Sequence, residues 1–426
     1  MNKQKIIAGI EIGSSKIATI IAQVLTDEIS LTRSINIIGV SSTDSRGIKK
    51  GQIVDLEEAV EAIIASIESA ERMAGFNLDN AYISLGGAQI ASQNSHGVVA
   101  ISDPEGEISF ADVNRVIEAA SAISLPTARE IIHVIPREYI VDGEAGIKDP
   151  VGMSGVRLEV QTHLITATTS TIKNVRKAIN EVGINVNELV FTGLASAEAV
   201  LTKTEKELGC VLIDIGGGTT SIAAYVDGAL TYSGVLPIGA KNVTSDLAIG
   251  LRVTMESAEK IKLALGSDEK KAKKPKEAGS VSDELDLETL GVTETKRVSK
   301  KTLTEGIIRP RLNEIFTMVR LALDRENIAT RIPAGAIITG GGADTVGLID
   351  SAKRMLSLPV RKGNPKGVGG LIDDVIVPSF ATPVGLILYG ANKEPNEVLT
   401  PFAKRFKLPS KGLASKLIDS IRDLLP

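Results

Sequence analysis

The chain has 426 residues, 43% apolar and 23% charged, an ordinary globular balance that excludes a disordered, collagen-like or coiled-coil polymer. At about 150 residues per domain it divides into two or three domains, since a single core stops growing beyond roughly 250–300 residues. Forty-eight basic against 52 acidic side chains leave a net charge of −4, and with aromatics at 3% and no Trp, nucleic acid is not expected as a partner.

Residues 5–12 predict a buried strand entering a turn at Gly13, and residues 16–24 predict the returning strand of a hairpin. Lys3 and Lys5 precede this apolar run in the manner of a secretion signal. Glu11 and Lys16 interrupt it, however, and no small-residue cleavage site follows. Residues 55–74 predict a helix capped by Asp55, with Leu56, Val60, Ile63, Ile64 and Ile67 as its apolar stripe. A new region opens at residue 81. It holds a capped helix from Ser109 to Ile123, opening on Ser109 and Asp112, then strands over 130–141 and 156–166. Residues 171–182 predict a helix ended by Gly183.

The stretch 209–226, GCVLIDIGGGTTSIAAYV, then repeats the design of 9–20, GIEIGSSKIATI. Each reads strand, acid, Ile, glycine turn, hydroxylated residues, strand. Glu11 aligns with Asp214 and Gly13 with Gly216, so two halves of like design are expected to face each other. A third glycine cluster, Gly340, Gly341 and Gly342, follows a short strand at 336–339. Residues 267–300 are rich in lysine, then acid, and low in large apolar residues, which predicts a loop or excursion. Residues 393–411 contain Pro395, Pro401 and Pro409 and predict a tether. In the last segment Leu413, Leu417, Ile418, Ile421, Leu424 and Leu425 share one helical face. With Lys404, Arg405, Lys407 and Lys411 in the tether, this predicts an interfacial helix on an anionic bilayer. The other reading is a terminal helix docked on the core, for which a proline-containing tether is wasteful. No stretch reaches about 18 uncharged apolar residues, so no spanning helix is expected.

A turn that approaches a phosphate has no room for a β-carbon, and its backbone N–H groups form an anion nest. Gly216, Gly217 and Gly218 suit that role, with Thr219 and Thr220 as further donors. On the other hairpin Gly13, Ser14, Ser15 and Lys16 suit it. Glu11 and Asp214, at the strand ends, suit Mg²⁺ held through water, because magnesium keeps several waters and uses few carboxylates. Cys210 rules out a disulfide within the chain, fits a reducing cytoplasm and reads as a buried small hydrophobe. His96, His133 and His163 are too scattered for a zinc site, and His133 and His163 read as satisfied structural residues.

These motifs resemble the actin, Hsp70 and sugar-kinase superfamily, in which two duplicated lobes bind ATP between them. Gly9–Lys16 resembles its first phosphate motif, Leu212–Thr220 the second, and Ile337–Gly342 the adenosine motif. Ala195–Leu201 and Ala381–Gly390 resemble its two connecting helices. Glu11 stands where aspartate is commoner. Within the superfamily, stretches at 10–21, 135–143, 211–223, 242–251, 258–266 and 338–343, with the terminal helix, are similar to the bacterial cell-division FtsA family over nearly the whole chain.

The resemblance implies an α/β, two-lobed actin-like ATPase fold. Its first lobe would comprise 1–83, 165–198 and 381–392, with a small α/β subdomain inserted at 84–164. The second lobe core would be 199–243 and 310–380, its outer subdomain 244–309, with a linker at 393–410 and a membrane helix at 411–426. The resemblance implies ATP and Mg²⁺ as cofactors, with ATP mainly a structural switch that turns over slowly. Glu198 would orient the attacking water, against a plain helix-surface carboxylate. Glu259 and Lys262 would touch adenosine, against a surface ion pair, and Gly239 and Asn242 would border the ribose. Arg297, Lys300 and Lys301 would dock the acidic C-terminal tail of the tubulin-like protein FtsZ, against a solvated helix face. The implied partners are FtsZ, further copies of the chain in a filament, later cell-division proteins and anionic lipid. The implied place is the inner face of the cell membrane at the division site. Three rivals remain. A pilus-assembly ATPase that binds a peptide should lack the terminal helix. A metabolic kinase would carry a sugar-site motif, and a chaperone of the Hsp70 type would need a substrate domain where only residues 393–426 follow.

Overall fold

Two sheets of one design carry the two halves of the chain, and the computed structural model describes residues 3–26, 33–103, 105–272, 283–292 and 297–393 of it. Strand β1 (Lys3–Ile12) turns into β2 (Lys16–Thr26), and β3 (Arg33–Asp44) returns beside it. The short pair β4 (Ile48–Lys49) and β5 (Gln52–Ile53) leads to helix α1 (Leu56–Ala74) and strand β6 (Asn80–Leu85). An inserted segment follows: β7 (Ala91–Ala100), α2 (Phe110–Ser121), β8 (Arg129–Val141), β9 (Glu144–Ile147) and β10 (Arg157–Thr168). Helix α3 (Thr169–Glu181), β11 (Asn185–Phe191) and α4 (Thr192–Val200) lead to the short α5 (Lys203–Leu208).

The second half repeats the meander as β12 (Cys210–Ile215), β13 (Thr220–Val226) and β14 (Ala229–Leu236). Helices α6 (Ala240–Leu251) and α7 (Met255–Ala272) follow, then the strand pair β15 (Glu284–Asp286) and β16 (Arg297–Ser299), and α8 (Arg309–Arg325). Strand β17 (Ala336–Thr339), helix α9 (Leu348–Leu356) and β18 (Val360–Lys362) complete the second sheet. Strand β19 (Gly369–Gly370) pairs back with β3, and α10 (Ala381–Asn392) is the last described element.

The first sheet has six strands in the order β11-β6-β1-β2-β3-β19, and the second has five in the order β14-β13-β12-β17-β18. In both, an antiparallel three-strand meander carries a parallel strand beside its first strand: β6 beside β1, and β17 beside β12. The duplication read from two glycine motifs is thus a duplication of topology. The inserted segment forms its own sheet, β7-β10-β8-β9, with Ile108, Val116, Ala120, Tyr139, Val141, Leu158 and Val160 as its core. Helix α2 is closed by the expected capping box between Ser109 and Asp112. Pro136, which has no N–H to give, sits on β8 at a register shift of the β8–β10 ladder.

Helix α1 departs from its predicted stripe. Its fully buried face is Ala59, Ala62, Ile63, Ser66, Ile67 and Ala70, while Leu56, Val60 and Ile64 are half-buried. A β-carbon at Gly39 of β3 would lie 2.6 Å from the Ala70 carbonyl oxygen. At Gly39 the helix backbone comes so close to the sheet that a side chain has no room, and Thr19 and Ser66 share a hydrogen bond of 2.8 Å nearby under the same helix. The predicted excursion at 267–300 is also partly folded. Leu285, Leu287 and Val292 are buried in the second core, and sparse apolar residues hid the placement of these three. Of the linker expected at 393–410 only Lys393 is described, and the rest of it and the helix expected at 411–426, including Leu413, Leu417, Ile418, Ile421, Leu424 and Leu425, lie outside the described residues.

Candidate functional site

The two repeated hairpins meet face to face. Gly13 N–H donates to the Lys16 carbonyl at 3.1 Å, and Gly216 N–H donates to the Thr219 carbonyl at 2.9 Å, so both turns close alike. The backbones nearly touch across the cleft. A β-carbon at Gly217 would lie 2.7 Å from Ser15 Cβ, and one at Gly218 would lie 3.0 Å from Ser14 Cβ. Lys241 Nζ donates to the Ser14 carbonyl at 2.7 Å, and Ser14 Oγ accepts from Gly51 N–H at 2.8 Å. These contacts revise the reason for the glycines at 217 and 218. They are demanded first by the approach of the opposite hairpin.

Between the hairpins lies a cleft of about 580 Å³. Its wall brings together Glu11, Gly13, Ser14, Ser15 and Lys16 from one hairpin and Asp214, Gly216, Gly217 and Thr219 from the other. Glu259, Lys262 and the three glycines 340–342 complete the predicted part of the wall. Gly340 has φ +85°, and a β-carbon there would meet Asp214 Oδ1 at 2.2 Å. Gly341 differs, since its β-carbon would meet only Ser379 Cβ, at 3.9 Å. The room beside Gly341 therefore belongs to the cleft.

Glu259 and Lys262 are more than a surface pair. Glu259 Oε2 accepts from Lys262 Nζ at 2.7 Å and from Thr244 Oγ1 at 2.6 Å, and Lys262 is buried. Sequence reasoning missed Thr244 on α6. It also missed Ser84, Gly86, Thr192, Lys241, Ser379 and Thr382, all on the wall. Lone hydroxyls and a lone lysine carry no pattern, and the fold alone gathers them.

Five predicted residues are placed elsewhere. Gly218 faces Ser14 rather than the cleft. Thr220 is buried and its hydroxyl donates to the Ile238 carbonyl at 2.8 Å. Gly239 and Asn242 cap α6, with Asn242 Oδ1 accepting from Gly239 N–H at 3.0 Å. Glu198 lies on α4 with its carboxylate 2.7 Å from Lys206 Nζ, lining a separate cavity with Arg137, Tyr139 and Tyr225. That cavity is not the hairpin cleft, and Glu198 is not on the wall that the two hairpins share. Glu198→Gln should accordingly leave nucleotide affinity within about twofold, as for any group outside the wall. A loss of ATP turnover in the same variant would return it to the site.

The cleft's charges are buried and mutually dependent. Burial pushes the Glu11 carboxyl up to about 7, with Asp214 adding to the rise and Lys16 opposing it. Burial raises Asp214 too, against hydrogen bonds from Ser196 and Thr382. Lys16 is lowered by burial and held up by the two carboxylates. It sits 4.0 Å from Glu11 Oε2 and 3.6 Å from the Phe380 ring centroid. Among the described residues, neither Lys16 Nζ nor Glu11 Oε2 has a hydrogen-bond partner. Two buried, oppositely charged groups left this way suit a ligand that brings both acceptor oxygens and a cation.

The shift at Glu11 predicts a pH dependence. Its folded value exceeds its ordinary 4.5, so its share of stability is complete below about pH 4.5 and is lost as pH rises through about 7. Thermal melts of the metal-free chain should show that loss, and Glu11→Gln should flatten it. A slope unchanged by the substitution assigns the dependence to other groups.

Away from the cleft, Cys210 is buried, with its thiol pushed up to about 12 by burial. His163 bonds Asn94 Oδ1 at 2.8 Å and Ser233 Oγ at 2.9 Å, joining the inserted sheet to β14. His133 Nε2 accepts from Phe191 N–H at 3.0 Å. In the basic region, Arg297 pairs with Glu284 at 3.3 Å, Arg309 with Glu305, and Arg311 with Asp246 at 2.6 Å. The backbone N–H groups of Lys300 and Lys301 both donate to Asp283.

Comparison with known proteins matches this arrangement. A family model described as "SHS2 domain inserted in FTSA" matches residues 87–166, and one described as "Cell division protein FtsA" matches residues 211–385. The cell division protein FtsA of Pseudomonas aeruginosa is 37% identical over 390 residues, covering 92% of this chain and 90% of that one. Among solved structures, a PilM-PilN type IV pilus biogenesis complex superposes with TM-score 0.61 at 17% identity, covering 91% of this chain and 99% of that chain. MreB 5 of Spiroplasma citri bound to AMPPNP superposes with TM-score 0.50 at 13% identity, covering 90% and 96%. These two likenesses establish the fold, a mixed α/β actin-like architecture with an inserted subdomain. The sequence relatives establish more: this chain belongs to the FtsA family of cell division proteins.

Proposed function

We propose that this chain binds ATP with Mg²⁺ between its lobes and polymerises on the inner face of the cytoplasmic membrane at the division site. There it tethers FtsZ filaments through their C-terminal tails and recruits later division proteins. The observation that carries the nucleotide reading is the pair of opposed hairpins with Lys16 Nζ and Glu11 Oε2 left without hydrogen-bond partners among the described residues. Lys16 and the backbone of both turns would hold phosphate oxygens. Glu11 and Asp214 would hold Mg²⁺ through water, in keeping with a cation that uses one or two carboxylates and completes its shell with phosphate and water. Thr244, Glu259 and Lys262 with glycines 340–342 would seat the adenosine. Bound Mg²⁺ would neutralise phosphate charge. The chain's residues orient the nucleotide and keep the hairpins apposed, and ATP serves mainly as a structural switch with slow turnover.

No described helix is long and apolar enough to cross a membrane, and the membrane reading rests on the amphipathic pattern of residues 411–426. One such helix binds weakly, and a filament presenting many binds by avidity. Membership of the FtsA family favours the division role over the pilus-assembly, kinase and chaperone readings. Sedimentation with ATP and anionic vesicles tests polymer and membrane together. The expected result is co-pelleting that needs both, and a chain that stays in the supernatant with both present overturns the reading.

The FtsZ contact is proposed at Arg297, Lys300 and Lys301. Reversing the charge at Arg297 and Lys300 should weaken binding of an acidic FtsZ tail peptide several-fold, about what exposed charge pairs are worth. Added salt should weaken the unmodified complex. An affinity unmoved by reversal places the contact elsewhere.

A further inference from the structure

The nucleotide cleft is joined to the two helices that connect the lobes, α4 and α10, by a cluster of hydrogen bonds. Ser196, on α4, donates its hydroxyl to Asp214 Oδ2 at 2.5 Å. Thr382, on α10, reaches the same carboxylate oxygen at 3.1 Å, and the two hydroxyls lie 2.9 Å apart. All three side chains are buried, with Ser196 fully so. Asp214 itself stands at the end of β12 in the second lobe. One carboxylate oxygen is therefore held by both connecting helices. The other, Oδ1, lies where a β-carbon at Gly340 would come within 2.2 Å of it.

The two helices are not independent. A β-carbon at Gly385 of α10 would lie 1.8 Å from the Ala195 carbonyl oxygen of α4. The helix backbones thus cross in contact one residue before Ser196 and three after Thr382. A close crossing without intervening side chains acts as a pivot, because any sliding meets backbone at once. Asp214 is anchored beside that pivot.

We propose that Ser196 and Thr382 are positioning residues that lock the Asp214 carboxylate to both connecting helices, so that a metal ion drawn to Asp214 is sensed directly at the junction between the lobes. The inference rests on the ATP and Mg²⁺ reading given above. Its physical basis is that two hydrogen bonds to one oxygen, one of 2.5 Å and one of 3.1 Å, fix the carboxylate's rotamer. With both hydroxyls in place, the free oxygen is presented to the cleft in one direction. Without them, the carboxylate is free to turn, and the metal-dependent part of nucleotide binding is lost. Contacts to the nucleotide made by α7 and by glycines 340–342 do not pass through Asp214 and remain.

The test compares ATP affinity in excess Mg²⁺ with ATP affinity in EDTA, by calorimetry, for the unmodified chain, Ser196→Ala, Thr382→Val and Thr382→Ser. Mg²⁺ should tighten ATP binding by the unmodified chain. In Ser196→Ala and Thr382→Val that tightening should shrink by about tenfold, the usual worth of a hydrogen bond to a charged group. Affinity in EDTA should hold within about twofold in Ser196→Ala, whose fully buried side chain is off the cleft wall, and Thr382→Ser, which keeps the hydroxyl, should restore the Mg²⁺ effect that Thr382→Val loses. Should Ser196→Ala fail to fold, the Val and Ser variants at 382 decide the matter alone. An undiminished Mg²⁺ effect in Thr382→Val overturns the proposal, as does an equal loss with and without Mg²⁺, which marks a merely structural bond. No ATP binding by the unmodified chain in either condition overturns the nucleotide reading itself, and the proposal with it.

Discussion

Gly217→Val should lower ATP affinity by at least about tenfold, because the valine would force the two hairpins apart. Its first added atom would stand 2.7 Å from Ser15 Cβ, well inside contact distance, and its two methyl groups would follow. Gly239 leaves no room for the hairpin to retreat, since a β-carbon there would already lie 2.7 Å from the Gly217 carbonyl oxygen. Overpacking of this kind costs about 1–3 kcal/mol, and about 1.4 kcal/mol is a factor of ten in affinity. Gly341→Val is the companion test. Its β-carbon meets protein only at 3.9 Å, so the fold keeps its melting temperature while the side chain fills the ligand's space. ATP titrations in Mg²⁺, paired with thermal melts, separate the two. Wild-type affinity in both variants would remove the nucleotide from this cleft.

Removal of residues 411–426 should abolish pelleting with anionic vesicles and leave ATP affinity and thermal stability nearly unchanged. The segment lies outside the described residues, and the expectation rests on its pattern. Six large aliphatic residues on one face do not stay in water, so they insert in lipid or dock on protein. Lys404, Arg405, Lys407 and Lys411 add positive charge beside that face, each worth about 1 kcal/mol near an anionic surface. Leu417→Glu or Ile421→Glu should act like the deletion, since a carboxylate on the apolar face is expensive in lipid. A helix docked on the core gives the opposite pattern. The melting temperature then falls by several degrees and pelleting persists, and that pattern would refute the anchor.

Much of the hairpin cleft was legible because an anion-binding turn demands contiguous sequence. A turn that brings an acid, a glycine and hydroxyls to a strand end is written in about eight consecutive residues, and it occurs twice. The same demand makes Gly340, Gly341 and Gly342 visible after a strand. Gly239, Asn242 and Thr220 were misplaced for a related reason. They adjoin the site in sequence, but the Asn242 side-chain oxygen caps α6 and the Thr220 hydroxyl bonds to the Ile238 carbonyl inside the fold. Glu198 illustrates the limit of analogy. Its helix is where the motif places it, but the side chain leaves the opposite side of α4 toward Lys206.

What the sequence determined by itself is the kind of machine: duplicated hairpins, a third glycine cluster and an amphipathic terminal pattern. Local geometry dictates these, since glycine at close approach, acids at strand ends and helical periodicity each leave a short-range signature. The tertiary structure alone decided which face of α1 is buried, where Leu285, Leu287 and Val292 go, and that Thr244, Lys262 and Glu259 form one network. It alone decided that Ser196 and Thr382, 186 residues apart, grip one carboxylate. Such choices depend on packing between distant segments, and an isolated hydroxyl or alanine carries no mark of the partner that the fold will bring to it.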